Sequence, residues 1–271
     1  MAEITRADIS LPKRLPNTHK GNYGRILLIC GSEKYTGAAY FSAEAAVRCG
    51  SGLVFLSVPK VIRPILAAKL NEPILVPRRV SGKSFDATLI GCGLGFGFSS
   101  RAHLKRELSL DASPLVIDAD AITLLARCRL PLKNSRRQII LTPHEGEFLR
   151  LCPDFCNSRR EEFALNFARE NECILVLKGH RTVTATPDGE IYINTNGNPG
   201  MAKGGSGDIL AGVITSLIGQ GIPTKEAAYT GVWLHGASGD LAAKTYGEYS
   251  MTPSDMLESL KSVVCEVSKA E

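Results

Sequence analysis

The segment NPGMAKGGSGDILAGVI, Asn198 to Ile214, sets Gly200, Gly204, Gly205 and Gly207 ahead of one acid, Asp208, and then turns apolar with a helical rhythm. The first N–H groups of a helix have no intrahelical partner, and the helix dipole makes that end positive. Gly204, Gly205 and Gly207 permit close backbone approach and φ > 0 at little cost. An anionic oxygen placed there meets several donors. The dipole is expected to keep Asp208 ionised at pH 7, ready to accept a proton from a hydroxyl that attacks phosphorus. Cradle plus base is the minimal equipment for phosphoryl transfer. A glycine-rich turn with aspartate as helix cap is the plain alternative, and GGSGD by itself leaves both open. The GK[ST] ending of a Walker A loop is absent.

Other candidate groups fall where strands should end. GCGLGFG (Gly91 to Gly97) follows an apolar run and is either a pocket-lining loop or a tight turn. It carries no dinucleotide fingerprint, because the acid expected at the end of a second strand is not evident. VIDADAI puts Asp118 and Asp120 at a strand end. Capping is the plain reading for Asp120; contact with substrate or magnesium is the chemical one. LTPHEGEF places His144 at a strand end, with Glu145 and Glu147 suited to the start of the next helix. Phe148 stands where an H-E-x-x-H zinc motif needs its second histidine. LKGHRTV ends a strand on Lys178-Gly179, with Lys178 suited to phosphate. Gly37, Ala38 and Ala39 are small residues at a helix start, against which a flat group can pack.

These groups need a scaffold that gathers strand ends. Short apolar runs alternate with helical ones: strands at 25–30, 53–58, near Leu89, near Val116, up to Thr142 and at 174–179; helices at 40–49, 61–70, after Ser99, from Asp120, near Glu145 and at 159–171. Continuous apolar strands separated by helices predict a mostly parallel sheet covered on both faces. Thr182 to Thr195 reads as a hairpin around Pro187-Asp188-Gly189, which extends one edge with antiparallel strands. After Gly204 the chain is nearly all helix. One α/β/α domain over 1–271 is expected; a split near residue 140 is the alternative.

Composition narrows the function. The chain has 271 residues, 44% of them hydrophobic, enough for a full core. Its net charge of +5 is scattered, and the 6% of aromatic residues do not interleave with the basic ones, so nucleic-acid binding is not expected. Eight cysteines lie mostly in apolar runs, as free thiols do in a reducing cytosol. Cys152 and Cys156 have no second ligand pair for zinc. No stretch reaches the roughly 18 apolar residues of a membrane span, and the first residues carry no secretory signal. A cytoplasmic protein is expected.

HKGNYGRILLICGS, YTGAAYFSAEAAVRCGSGLV, GCGLG, VIDADAI, LTPHEGEF, LKG and NPGMAKGGSGDILAGVI occur in that order and cover the chain from about His19 to the final helices. This series resembles the ADP- or ATP-dependent NAD(P)H-hydrate dehydratases, a branch of the ribokinase-like kinases. The resemblance implies the three-layer α/β/α ribokinase-like fold and repair of NADHX and NADPHX, the hydrated reduced nicotinamide cofactors. It implies Asp208 as catalytic base. It places the adenylate at Lys178, Gly179, His180, Arg181 and Thr182 and against Gly204, Gly205, Ser206 and Gly207. Substrate falls to Ala38 or Ala39, the turn from Gly93 to Gly95, Asp118, His144 and Asp208. Many members read HPGE where this chain has His144-Glu145-Gly146-Glu147. The implied co-substrate is ADP, with ATP as the alternative, and Mg2+ to offset the nucleotide charge. A separate NAD(P)H-hydrate epimerase is the implied pathway partner, and a homotetramer the implied assembly. The rival readings are a kinase of a vitamin-precursor alcohol and a nucleotide-binding sensor without chemistry.

Overall fold

A computed structural model describes residues 1–269. Ten strands form one sheet: β1 (Ala2–Ile4), β2 (Arg25–Ile29), β3 (Leu53–Val58), β4 (Ile74–Pro77), β5 (Ala87–Ile90), β6 (Leu115–Ile117), β7 (Ile139–Leu141), β8 (Ile174–Leu177), β9 (Val183–Ala185) and β10 (Ile191–Asn194). Their order is β1-β10-β9-β8-β7-β6-β5-β2-β3-β4. Every pairing from β4 to β8 is parallel, whereas β9 runs antiparallel to both β8 and β10. The hairpin expected around Pro187-Asp188-Gly189 is therefore present. It is not the outermost element, because β1 adds parallel to β10 beyond it.

The helices are α1 (Thr36–Arg48), α2 (Arg63–Ala67), α3 (Phe98–Ser109), α4 (Ala119–Cys128), α5 (Glu145–Leu151), α6 (Arg160–Asn171), α7 (Ser206–Gly219), α8 (Thr224–Ser250) and α9 (Pro253–Lys269). Side chains alternate across a strand, so each continuous apolar run feeds two cores. Ile26, Leu28, Val116, Ile140 and Val176 join α1, α7, α8 and α9 on one face. Leu27, Ile29, Leu115, Ile117, Leu141 and Leu175 join α3 to α6 on the other. The sheet centre is thus covered by apolar side chains on both faces.

Local chemistry explains one departure from the sequence reading. The helix expected at 61–70 is divided into a 3-10 turn over Lys60–Ile62 and α2, because Pro64, at the start of α2, has no N–H with which to continue the ladder from the preceding turn. The two edges of the sheet hold a second: β1 and β4, strands of three and four residues, are not among the strands expected from the sequence.

Candidate active site

The carboxyl ends of β5, β6, β7 and β8 bring Cys92, Asp118, His144 and Lys178 to one edge of the sheet, beneath the first turn of α7. Ligands of open α/β sheets bind at this edge. A cleft of about 480 Å³ opens there, lined by Lys34, Tyr35, Gly37, Ala38, Phe41, Gly93, Ala119, Asp120, Gly204, Gly205 and Asp208.

Gly205 is the N-cap of α7 with φ +109°, and a Cβ on it would lie 2.8 Å from the Phe41 ring. Glycine is required there on both counts. Gly204 and Gly207 do not use the left-handed region. Gly207 instead makes room for the Lys178 ammonium, which would stand 3.1 Å from a Cβ. Ser206 is buried. His235, on α8, lies with Nε2 at 2.9 Å from the Ser206 carbonyl and 3.0 Å from its hydroxyl. Burial pushes the His235 pKa down to about 4, so it is a neutral imidazole that fixes the helix start.

Asp208 occupies the first turn of α7, as read from the sequence, but its charge state differs from expectation. Burial, and then the charge of Asp118, push its pKa up to about 7; a hydrogen bond from Cys92 and the charge of Lys178 work the other way. Desolvation outweighs the helix dipole, because the dipole acts at a mostly buried carboxyl that has lost its water. Asp208 is thus poised at the midpoint that suits a general base near neutral pH.

Beneath it, Lys178 Nζ donates to Asp118 Oδ1 at 2.9 Å, and the Cys92 thiol lies 3.7 Å from Asp118 Oδ2. Asp118 is 1% exposed and stands at the N-cap position of α4 without capping it. Lys178 is held charged by Asp118 and Glu147 against the cost of its burial. Asp120 faces the cleft and accepts from the Gly95 N–H at 2.7 Å; burial raises its pKa. Ala119, between the two acids, has φ +49°, a strained value for a residue with a Cβ.

Of the paired alternatives left open by the sequence, Ala38 reaches the cleft, whereas Ala39 is fully buried against Gly31. Gly93 lines the cleft with φ +59°, and a Cβ would collide with Tyr35 and Ala38 at 2.6 and 2.8 Å. Gly95 lies behind it, spending its N–H on Asp120. His144 is exposed at the end of β7 and caps α5: Nδ1 accepts from the Gly146 and Glu147 N–H groups, and Glu147 returns a bond to the His144 N–H at 3.0 Å. This reciprocal cap closes the turn at the start of α5. Lys178, Gly179, His180, Arg181 and Thr182 form the β8–β9 connection, closed by the Thr182 hydroxyl on the Gly179 carbonyl at 3.0 Å.

The sequence reading missed Arg160, Glu147 and His235 as site residues. Arg160, nearly buried, donates to Glu145 and to the carbonyls of Leu177, Lys178 and His180, so it shapes the end of β8. One arginine among the charged residues of α6 gives no signal of that. His235 does interrupt a small-residue helix, which is a signal, though a weak one.

Cys92, Asp118 and Asp208 offer ligand atoms within 4.8 Å of one another. They do not fit magnesium. The ion prefers an octahedral shell of oxygens, whereas one ligand here is a thiol and one carboxylate is already taken by Lys178.

The layered sheet, with its helices on both faces, is that of the ribokinase-like class. The family model described as NAD(P)H-hydrate dehydratase matches residues 26–262. The chain belongs to that family. It is 40% identical over 273 residues to a bifunctional NAD(P)H-hydrate repair enzyme of Moorella thermoacetica, covering 94% of this chain and 52% of that protein. The chain thus spans about half the length of such bifunctional relatives. The ADP-dependent (S)-NAD(P)H-hydrate dehydratase of Bacillus subtilis is 33% identical over 94% of both chains. A crystal structure of the ADP/ATP-dependent NAD(P)H-hydrate dehydratase from Bacillus subtilis, co-crystallised with ATP and Mg2+, superposes with a TM-score of 0.88 at 30% identity, covering 97% of this chain and 95% of that one. Among the described residues no helix is long and apolar enough to cross a membrane.

Proposed function

We propose that this protein restores NADH and NADPH from (6S)-NADHX and (6S)-NADPHX with ADP as phosphoryl donor, releasing AMP and phosphate. The observation that carries the reading is Asp208, with its pKa near 7, in the first turn of α7 and open to a cleft. Family membership supports the substrate class, and the ADP-dependent relative supports the donor.

Hydroxide is a poor leaving group. In the proposed reaction Asp208 takes the proton of the ring hydroxyl, whose oxygen attacks the terminal phosphorus of ADP. The N–H groups at the start of α7 stabilise the transferring oxygens. The lone pair of the ring nitrogen then expels phosphate, and loss of a proton from the ring carbon next to the one that carried it restores the neutral dihydropyridine. We assign the adenylate to Lys178–Thr182 and Gly204–Gly207, and the hydrate to Ala38, Gly93, Gly95, His144 and Asp208. In this scheme Asp118 acts on substrate from below, through Lys178 and Asp208. One catalytic domain spans 1–271, works in the cytoplasm as a homotetramer, and receives its substrate isomer from an NAD(P)H-hydrate epimerase.

The test mixes the protein with NADHX, magnesium and either ADP or ATP, and follows the near-ultraviolet absorbance of restored NADH. The expected result is a rise with ADP that Asp208→Asn abolishes. Adenylate binding without any rise refutes the reading. A phosphorylated product that is not dehydrated points to a vitamin-type kinase instead, and tight nucleotide binding without chemistry points to a sensor.

A further inference from the structure

A thiol lies inside the charge cluster that the proposed reaction uses. Cys92 follows β5 and is fully buried. The chain bends sharply before it: Gly91 has φ +134°, and a Cβ there would lie 1.8 Å from the Asp118 carbonyl. This bend presses the end of β5 against the end of β6. It sets Sγ 3.7 Å from Asp118 Oδ2. The Sγ atom, an Asp118 oxygen and an Asp208 oxygen all lie within 4.8 Å of one another.

A thiol has one proton to give and sits here between two carboxylates. Asp118 is the better satisfied, because Lys178 Nζ reaches its other oxygen at 2.9 Å. Among the described residues no lysine pairs with Asp208 as Lys178 pairs with Asp118. We propose that Cys92 is a positioning residue for Asp208, its single S–H turning from Asp118 to Asp208 when the base gives up its proton. This rests on Asp208 being the base of the reaction proposed above. The bookkeeping is simple. The substrate proton goes to an Asp208 oxygen, the S–H proton stays on sulfur, and only its acceptor changes.

A neutral donor suits this place. A second cation beside Lys178 would hold Asp208 ionised well below neutrality and make it a weak base. With no donor, the carboxyl would ionise at higher pH, since burial and Asp118 both resist its charge. The groups that act most on Asp208 are Cys92 after β5, Asp118 and Asp120 after β6, and Lys178 after β8, and Lys34 and Tyr35 line the same cleft ahead of α1. Glu147, on α5, acts on Lys178, and Cys30, at the end of β2, acts on Cys92. The nearby His235 is neutral. The thiol itself stays protonated: Cys30, burial and the two aspartates all push its ionisation upward.

The test compares wild type, Cys92→Ala and Cys92→Ser. Dehydration of NADHX is followed from about pH 5.5 to about pH 9. In parallel, the Asp208 carboxyl is titrated by carbon NMR in the nucleotide-free protein, with Asp208→Asn to assign the signal. Cys92→Ala removes the donor and is expected to move both the acidic limb of kcat and the Asp208 titration up by about half to one pH unit. Turnover then falls about three- to tenfold near pH 6 and recovers in alkaline solution. Cys92→Ser keeps an O–H and is expected to leave both near their wild-type positions. The limb's position does not depend on how much enzyme is folded, so partial misfolding cannot mimic the result. Titrations of wild type and Cys92→Ala that coincide overturn the proposal, as does an equal loss in both variants at every pH. If the wild type does not turn over NADHX, the functional reading fails, and the NMR titration still decides the role of Cys92.

Discussion

Asp208→Asn should make the protein more stable while removing its activity. The folded carboxyl holds its proton up to about pH 7, whereas the unfolded one releases it near the model value of 3.8. Below 3.8 both states are protonated and there is no penalty. Between 3.8 and about 7 the unfolded chain gives up a proton that the folded chain keeps, so stability falls as pH rises. Above 7 the penalty is full. Three pH units correspond to about 4 kcal/mol, an upper bound because the neighbours relax. An amide of the same shape removes the term. The variant should exceed wild type in unfolding free energy, by little near pH 4 and by about 2–4 kcal/mol at pH 8. Between pH 5 and pH 8 the gap should widen by about 2–3 kcal/mol. Urea denaturation at the two pH values measures this through the transition midpoint, provided the slope is unchanged. Turnover should fall on the order of 10²–10⁴-fold, the range for a lost general base. A gap that stays constant from pH 5 to pH 8, or a variant less stable than wild type at pH 8, would refute the claim that burial holds this carboxyl near neutrality.

Three further substitutions probe the surroundings. Lys178→Met leaves Asp118 buried without its cation and should cost about 3–5 kcal/mol in denaturant unfolding, whereas an unchanged midpoint would mean that the pair contributes nothing. Gly205→Ala meets both a left-handed φ and the Phe41 ring, so about 1–3 kcal/mol of stability and most nucleotide affinity should be lost; calorimetric titration with ADP and AMP reads the second effect. Arg160→Met frees the carbonyls of Leu177, Lys178 and His180 and leaves Glu145 unpaired. It should raise KM for the nucleotide several-fold with a smaller change in kcat, and equal effects on both would remove Arg160 from the shaping of the β8 end.

The alternation of strand and helix, the hairpin after Lys178 and the helical end of the chain were legible in the sequence, because each depends on side-chain period and local turn chemistry. So was the place of Asp208, since glycines ahead of an apolar helical run fix where α7 begins. The strand ends at Asp118, His144 and Lys178 followed from the same periodicity. Local signals also misled where Pro64 divided the helix expected at 61–70, and they did not show the edge strands β1 and β4.

The charge state of Asp208 was not legible in the sequence. A helix start and an acid predict an ionised carboxylate; the dielectric around it depends on which other segments cover it. Tertiary structure alone brings Cys92 to Asp118 across 26 positions and Lys178 to Asp118 across 60. It also makes Arg160 and His235 supports of the site from helices whose sequence gives little sign of it. Periodicity is a property of neighbours along the chain, and it settles the elements and where they end. A pKa is the sum of burial and charges from every segment that folds against the group. For Asp208 that sum is fixed by the packing of β5, β6, β8 and α7 together.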